Sequence, residues 1–399
     1  MELLKNEELH FSHPQPIESL KLHDSSINEK YIKGDVRIVT EQARYPLDSI
    51  KSMIEGPKYI LNPEYQRRHR WDNEKKSRLI ESLIMNVPIP PIFLYEFEYS
   101  HYEVMDGLQR LTAIKDFYSD ALELEGLQEW PELNGRKYSQ LPDQVKHGID
   151  RRYLSSIILL QETAKTPEEA QRLKQLVFER INSGGVKLEA QESRNAIYNG
   201  PLNRLCMKLA RNEFLCTLWD IPSPDKEELL DDSSLSESLL ENEDFRKMTD
   251  VELVLRFFAN RQREKYREMT LKSYLDAFLK HGNEYDPETL CSLEELFCNT
   301  IKLAHDVLGE NAFFLGRLRN DSWSWYRKST TVVYDPLMRY LSQNLLNTSK
   351  LIEKKDDIRD AIPVFYKDNY DSFKGRYTNV NNILERERLY TIFFGEFLA

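Results

Sequence analysis

The order of strand-like and helix-like segments is the feature that most restricts the folds open to this chain. Between about residues 35 and 161, short β-branched or apolar runs alternate with amphipathic helical patterns, and after Thr166 only helical patterns follow. The predicted strands are 36–40, 58–61, 92–97, 102–105 and 154–160, and the first predicted helices are 73–86, 107–118 and 168–182. We therefore predict an α+β fold with a mixed α/β first part and an all-helical second part.

The domain boundaries follow from the same pattern. Residues 1–34 are polar and interrupted by prolines, so we predict an N-terminal arm. Residues 35–200 form the mixed domain and residues 201–399 the helical domain, within which the acidic, Ser-rich stretch 223–245 is predicted to be a mobile, solvated insertion.

The charge of the chain is uneven. There are 55 Lys and Arg against 66 Asp and Glu, a formal net charge of −11. Nine acids and one lysine lie between Asp225 and Asp244, so this stretch alone carries −8 of that charge. The rest of the chain is nearly neutral and can present a basic face to an anionic partner.

Other sequence signals exclude several classes of protein. No apolar run reaches the roughly 20 residues of a membrane helix, and we predict a cytoplasmic protein with no membrane partner. The four cysteines form no CxxC pair, so we predict a structural role for them rather than a disulfide framework or a zinc site.

The passage HYEVMDGLQRLTAIKDFY (101–118) is the first candidate site. A short strand runs into Asp106-Gly107 and an amphipathic helix begins at once, which presents backbone N–H groups and the positive dipole end to an anion. Arg110, one turn into the helix, has a two-donor fork suited to phosphate. The alternative is structural: Asp106 caps the helix, Gly107 relieves the corner and Arg110 pairs with an acid.

Two further passages carry polar residues near predicted turns. In the tract after Pro63, Tyr65, Gln66 and Arg67 are candidates for holding a nucleotide or nucleic-acid phosphate, while Arg68 and Arg70 are expected to be solvated. In the segment 177–200, Arg180 and Asn182 precede a Gly-Gly corner and are candidates to face the same cleft.

Four segments, in order and spacing, resemble the N-terminal domain family of GmrSD-type restriction systems, a member of the ParB/sulfiredoxin-like superfamily. They are PEYQRRHRW (63–71), LIESLIMNVPIPPIFLYE (79–96), DGLQRLTAI (106–114) and FERINSGGVKLEAQESRNAI (178–197). The ending FKGRYTNVNNILERERLY (373–390) is similar to a tail of the same family. The resemblance implies a ParB/sulfiredoxin-like mixed domain followed by a helical domain.

The resemblance also implies a nucleotide-binding module in bacterial defence against foreign, phage or modified DNA. The family's D-G-Q-Q-R motif is linked to nucleoside triphosphate hydrolysis, and this chain reads D-G-L-Q-R with Leu108 in place of the first Gln. On this reading Asp106, Gln109 and Arg110 are catalytic and Asp106 also holds Mg²⁺. The nucleotide-binding residues are Gly107, Arg110, Tyr65, Gln66, Arg67, Arg180 and Asn182. Sulfiredoxin chemistry is excluded, because no Cys lies between Gly107 and Arg110.

Three functional hypotheses remain open. The first is an NTP-hydrolysing enzyme that binds ATP or GTP, with Mg²⁺, and works with DNA and a partner nuclease subunit. The second is a DNA-binding or partner-interaction module without turnover. The third is an Mg²⁺-dependent DNA nuclease that uses the same cleft. An HNH nuclease within the chain is not expected, since the second half has only His281 and His305.

Overall fold

The structure is a computed structural model. It describes residues 2–11, 23–33, 38–61, 68, 71–163, 166–182, 189–225, 228, 235–319, 322–375 and 379–398. Three predicted phosphate-binding residues, Tyr65, Gln66 and Arg67, lie outside these ranges.

The chain divides into two compact units. Residues 16–188 form one, called the sheet unit below, and residues 1–15 with 189–399 form the other, the helical unit. This division falls at residue 188, ahead of the predicted boundary at residue 200, and the buried Arg194 pairs with Glu252 and Asp276 of the helical unit. The predicted arm is also divided, since Glu7 is buried against Arg261.

The sheet unit confirms the mixed α/β prediction. Its strands are β1 (Thr40–Pro46), β2 (Tyr59–Ile60), β3 (Ile92–Glu98), β4 (His101–Asp106) and β5 (Tyr153–Leu159). Its α-helices within the described residues are α1 (Asp24–Lys33), α2 (Ile50–Glu55), α3 (Asn73–Ile84), α4 (Leu108–Tyr118), α5 (Asp143–Asp150) and α6 (Pro167–Asn182).

The five strands form one mixed sheet in the order β1-β5-β3-β4-β2. Strands β1 and β5 pair antiparallel, as do β3 and β4, while β3 is parallel to β5 and β2 is parallel to β4. Of the predicted strand 36–40, residues 36 and 37 lie outside the described ranges, and Thr40 begins β1. As an edge strand, β1 buries few side chains and gives only a weak apolar signal.

One face of this sheet carries the core. Helix α3 buries Leu79, Ile80 and Leu83, and helix α4 buries Leu111, Ile114 and Phe117. Asp72 begins α3 by accepting the backbone N–H of Lys75 at 2.7 Å. These side chains pack with Ile92, Leu94, Leu154 and Ile158 of the sheet. The periodicity of the sequence located both helices because their apolar stripes face this core.

The described residues of the helical unit include thirteen α-helices. They are α7 (Ala190–Ile197), α8 (Pro201–Leu209), α9 (Glu213–Trp219), α10 (Glu237–Glu241), α11 (Glu243–Arg246), α12 (Thr249–Asn260), α13 (Leu271–Gly282), α14 (Pro287–Leu308), α15 (Thr331–Gln343), α16 (Thr348–Glu353), α17 (Lys355–Asp368), α18 (Tyr370–Phe373) and α19 (Val380–Leu398). None of the helices in the described parts of the chain is long and apolar enough to cross a membrane.

Two predictions for this half need correction. The unit is not all-helical, because β6 (Leu315–Arg319) and β7 (Ser322–Tyr326) pair as an antiparallel hairpin. Apolar and polar residues alternate in S-W-S-W, which is a strand period. The predicted acidic insertion is only partly solvated, because α10 and α11 lie within it and bury Leu239 and Phe245.

Candidate functional site

The candidate site is the corner where β4 passes into α4. Strand β4 ends at Asp106, and α4 starts at Leu108, so Gly107 alone makes the turn, with φ +100° and ψ 10°. An added Cβ at Gly107 would lie 2.3 Å from Cγ2 of the fully buried Ile92. Glycine is therefore required here for its backbone conformation and for its lack of a side chain. The inner side of the corner is closed by Ile92.

Arg110 is held on three sides at this corner. Its Nη2 donates to Oδ2 of Asp106 at 2.6 Å, and its Nη1 donates to the carbonyl oxygens of Pro90 and of Pro91, the latter at 3.2 Å. The side chain of Arg110 is 13% exposed and that of Asp106 is 40% exposed. A guanidinium has five N–H donors, so the Nε–H and one Nη2 N–H remain for another acceptor.

Burial lowers the pKa of the Arg110 guanidinium, and the Asp106 carboxylate opposes this by favouring the charged form. Asp106 and Arg110 therefore form a charge-assisted pair, and the corner already contains an anion beside its cation. The structural alternative raised from the sequence, that Arg110 pairs with an acid, is what the structure shows. A phosphate that reached Arg110 would share it with Asp106.

Gln109 connects the corner to the basic tract. Its Oε1 accepts the backbone N–H of Trp71 at 3.2 Å, which fixes the end of the tract 63–71 at the first turn of α4. Strand β2, which leads into that tract, is parallel to β4, so both strands end at the same edge of the sheet. Arg68 is buried, with 4% exposure, rather than solvated as predicted. A buried guanidinium needs acceptors around it, which the sequence could not reveal.

Arg180 and Asn182 lie in the last turn of α6. Arg180 is exposed, and the side chain of Asn182 lies outside the described part of the chain. Two turns earlier, Lys174 pairs with Glu103 of β4 at 2.5 Å, and its Nζ lies 5.5 Å from the centre of the Tyr95 ring. Helix α6 therefore packs across β3 and β4, on the strand that leads to Asp106.

The remainder of the third motif has a structural role. Glu189 and Glu192 form a reciprocal cap at the start of α7, and Glu192 is buried. Arg194 donates to Glu252 at 2.8 Å and to Asp276 at 2.7 Å while only 3% of its side chain is exposed. These residues hold the helical unit together.

Sequence reasoning missed Pro90 and Pro91, whose carbonyl oxygens hold Arg110. A signal was present in the P-I-P-P run, because proline has no N–H and short Pro-rich segments leave carbonyl groups outside regular hydrogen bonding.

The side chains described at the corner do not form a preformed metal site. Within the described ranges, no group of three or more His, Cys, Asp or Glu side chains is placed to hold a metal. Asp106 faces a guanidinium at 2.6 Å, which disfavours a second cation on the same oxygen. A Mg²⁺ here would depend on ligands from a bound nucleotide. All four cysteines are free thiols.

Comparison with known families places part of the sheet unit and the start of the helical unit in a described family. Residues 50–199 match the family described as the GmrSD restriction endonuclease, N-terminal domain. The match covers α2 to α7 and so includes the corner, the basic tract and both parts of the third motif. Neither the curated proteins nor the solved structures give a match.

Proposed function

Because residues 50–199 are a GmrSD-type restriction endonuclease N-terminal domain, we propose that this chain is the nucleotide-binding module of a restriction system directed against foreign DNA. The nucleotide is a nucleoside triphosphate whose phosphates lie at the corner between β4 and α4. The matched family supplies the restriction context, and the geometry of the corner supplies the argument for the nucleotide.

The observation that carries the proposal is the hydrogen bond between Gln109 and the backbone of Trp71. It brings two motifs that are distant in sequence to one point, the start of a helix. First-turn N–H groups of α4 have no acceptor within the helix, and the helix dipole favours an anion there. Arg110 has two N–H donors left at the same place. Arg67 is in the tract that this bond anchors and is the second proposed phosphate ligand.

Each residue then has a distinct role in the proposal. Arg110 positions a phosphate oxygen, while Asp106 orients Arg110 and accepts a proton from a water molecule. Gln109 holds the tract, because its carboxamide oxygen is already bonded to Trp71. Leu108 packs half-buried against the core, so this position does not contact the phosphates directly. Catalysis would rest on charge stabilisation rather than on a covalent intermediate.

The test is nucleotide binding measured by calorimetry with ATP and with GTP. Asp106→Asn removes the anion next to Arg110 but keeps an acceptor for it. Two charges about 6 Å apart interact by about 3 kcal/mol at an effective dielectric constant of 20, and exposure of Asp106 reduces this to about 1 kcal/mol. We therefore expect Asp106→Asn to bind the triphosphate about fivefold more tightly and to lose hydrolysis.

The matched control is Arg78→Ala, which removes an exposed arginine that pairs with Glu74 on α3 of the same unit. Arg67→Ala should weaken binding at least tenfold, and Arg78→Ala should leave it unchanged. Absence of triphosphate binding by the wild-type chain, or equal effects of Arg67→Ala and Arg78→Ala, would remove the proposal.

The nuclease and non-catalytic alternatives are separated by one assay. Purified protein is incubated with plasmid DNA, Mg²⁺ and each NTP, while phosphate release and DNA cleavage are both followed. Phosphate release without cleavage supports the proposal. Cleavage lost in Asp106→Asn would favour the nuclease, and binding without either reaction would favour the non-catalytic module.

A further inference from the structure

Among the described residues, several side chains on the face of the sheet opposite the core are exposed at the β1–β5 edge. Directly paired residues of neighbouring strands share a face, and the core face of β5 is marked by Leu154 and Ile158. Arg44 pairs with Ser155, Gln42 with Ile157, and Pro46 with Tyr153 on the other face. We call the following five residues the edge face: Gln42, Arg44, Tyr153, Ser155 and Ile157.

The edge face combines an aromatic ring with polar groups in solvent. Tyr153 is 56% exposed, and Gln42, Arg44 and Ser155 are exposed as well. A tyrosine ring on a strand, with its face accessible, offers a stacking surface to a planar ligand. Ser155 and Gln42 add hydrogen-bonding groups beside it.

Two exposed arginines lie at this edge, Arg44 on β1 and Arg151 shortly before β5. Arg151 and Arg152 immediately precede Tyr153, and Arg151 is exposed. Across the described ranges, Arg44, Arg151 and Arg152 form no ion pair with an acid. The buried arginines Arg194, Arg256 and Arg261 of the helical unit, in contrast, are all paired with carboxylates. In a chain of net charge −11, two exposed arginines without an acid partner among the described residues, Arg44 and Arg151, lie near an exposed tyrosine.

We propose that the edge face binds single-stranded DNA, with a base stacked on Tyr153 and phosphates at Arg44 and Arg151. Aromatic stacking together with arginine contacts to the backbone is the usual chemistry of single-strand recognition. Bases of a duplex are stacked on one another and cannot lie on a tyrosine of a sheet, so the ring favours the single-stranded form.

The position of this face relates it to the candidate site. A series of directly paired residues runs across four neighbouring strands, from Gln42 of β1 through Ile157 and Phe93 to Asp106 of β4. Three strand spacings of about 4.8 Å place Gln42 and Asp106 about 14 Å apart. The inference rests on the DNA-directed role proposed above and assigns it a surface, but it does not need a nucleotide at the corner.

The experiment uses the full chain and a fluorescein-labelled oligo(dT) of 15 nucleotides, with binding followed by anisotropy at two salt concentrations. Tyr153→Ala should weaken binding about tenfold or more, and Tyr153→Phe, which keeps the ring, should bind within twofold of wild type. Arg44→Ala should weaken binding and lower the slope of log K against log salt by about 0.7. Tyr99→Ala and Arg78→Ala are the matched controls, because Tyr99 is 71% exposed and Arg78 is exposed in the same unit; both should bind like wild type.

The outcomes separate this inference from the proposed function. If the wild type binds oligo(dT) but Tyr153→Ala and Arg44→Ala bind equally well, or if it binds only duplex DNA, the edge face is not the site while a DNA-directed role stands. If oligo(dT) binds as expected but no triphosphate binds, the nucleotide proposal fails and the edge face stands. If no DNA of either form binds, the inference is overturned.

Discussion

Gly107→Ala tests whether Ile92 closes the corner between β4 and α4. Two unfavourable effects add in this variant. The backbone has φ +100°, a left-handed conformation that is unfavourable by roughly 1–2 kcal/mol for a residue with a Cβ. The new Cβ would also lie 2.3 Å from Cγ2 and 2.9 Å from Cβ of Ile92, and overpacking of a core costs roughly 1–3 kcal/mol. We expect the free energy of unfolding to fall by about 2–5 kcal/mol.

Gly148→Ala is the matched control, since Gly148 lies in α5 of the same unit and no atom lies within 4 Å of its added Cβ. This change should stabilise the helix by up to about 1 kcal/mol. Urea unfolding followed by circular dichroism gives the midpoints, and hydrogen exchange of peptides from residues 92–118 reports on the sheet unit alone. Equal midpoints for wild type and Gly107→Ala would refute the reasoning.

Three further predictions concern stability. Arg194→Ala removes the buried partner of Asp276 and one of the two arginine partners of the partly exposed Glu252. It should lower the free energy of unfolding by about 1–3 kcal/mol, and a loss near that of the exposed control Arg78→Ala, about 0.5 kcal/mol, would contradict this. Oε1 of the buried Glu81 accepts the N–H groups of Glu129 and Trp130, so Glu81→Ala should speed hydrogen exchange of these two amides, whereas Glu81→Gln should preserve their protection. Burial lowers the pKa of His281 below its ordinary value, so the folded protein binds fewer protons there than the unfolded chain. The free energy of unfolding should therefore fall as pH drops through about 6.5. Between pH 7.5 and 5.5, the melting temperature of His281→Gln should fall less than that of the wild type. Identical pH profiles of the two proteins would exclude this contribution.

Local periodicity was enough to locate most elements of the sheet unit. The predicted helices 107–118 and 168–182 are observed as α4 (Leu108–Tyr118) and α6 (Pro167–Asn182), and the predicted strand 92–97 is β3. These elements carry their burial pattern within a few neighbouring residues, so each can be predicted without knowledge of the others. Most of β1 was not predicted, because its weak pattern depends on pairing with β5, more than a hundred residues away.

The candidate site was predictable in its position but not in its contacts. The strand-Gly-helix order identified the corner, and Arg110 was correctly placed near it. Its partners Pro90 and Pro91 lie about twenty residues earlier, and Trp71, the partner of Gln109, lies 38 residues away. Such contacts are set by the order of the strands in the sheet, which a single sequence does not encode in any local pattern.

The pairing of Glu7 with Arg261 has a consequence for how the chain acquires its structure during synthesis. The two residues are 254 positions apart, and a ribosome adds about 5–20 residues per second. At that rate, about 13–50 seconds pass between the emergence of the glutamate and that of its arginine. The segment around Glu7 must therefore stay unattached while the whole sheet unit is translated, and it docks only after Arg261 has left the exit tunnel.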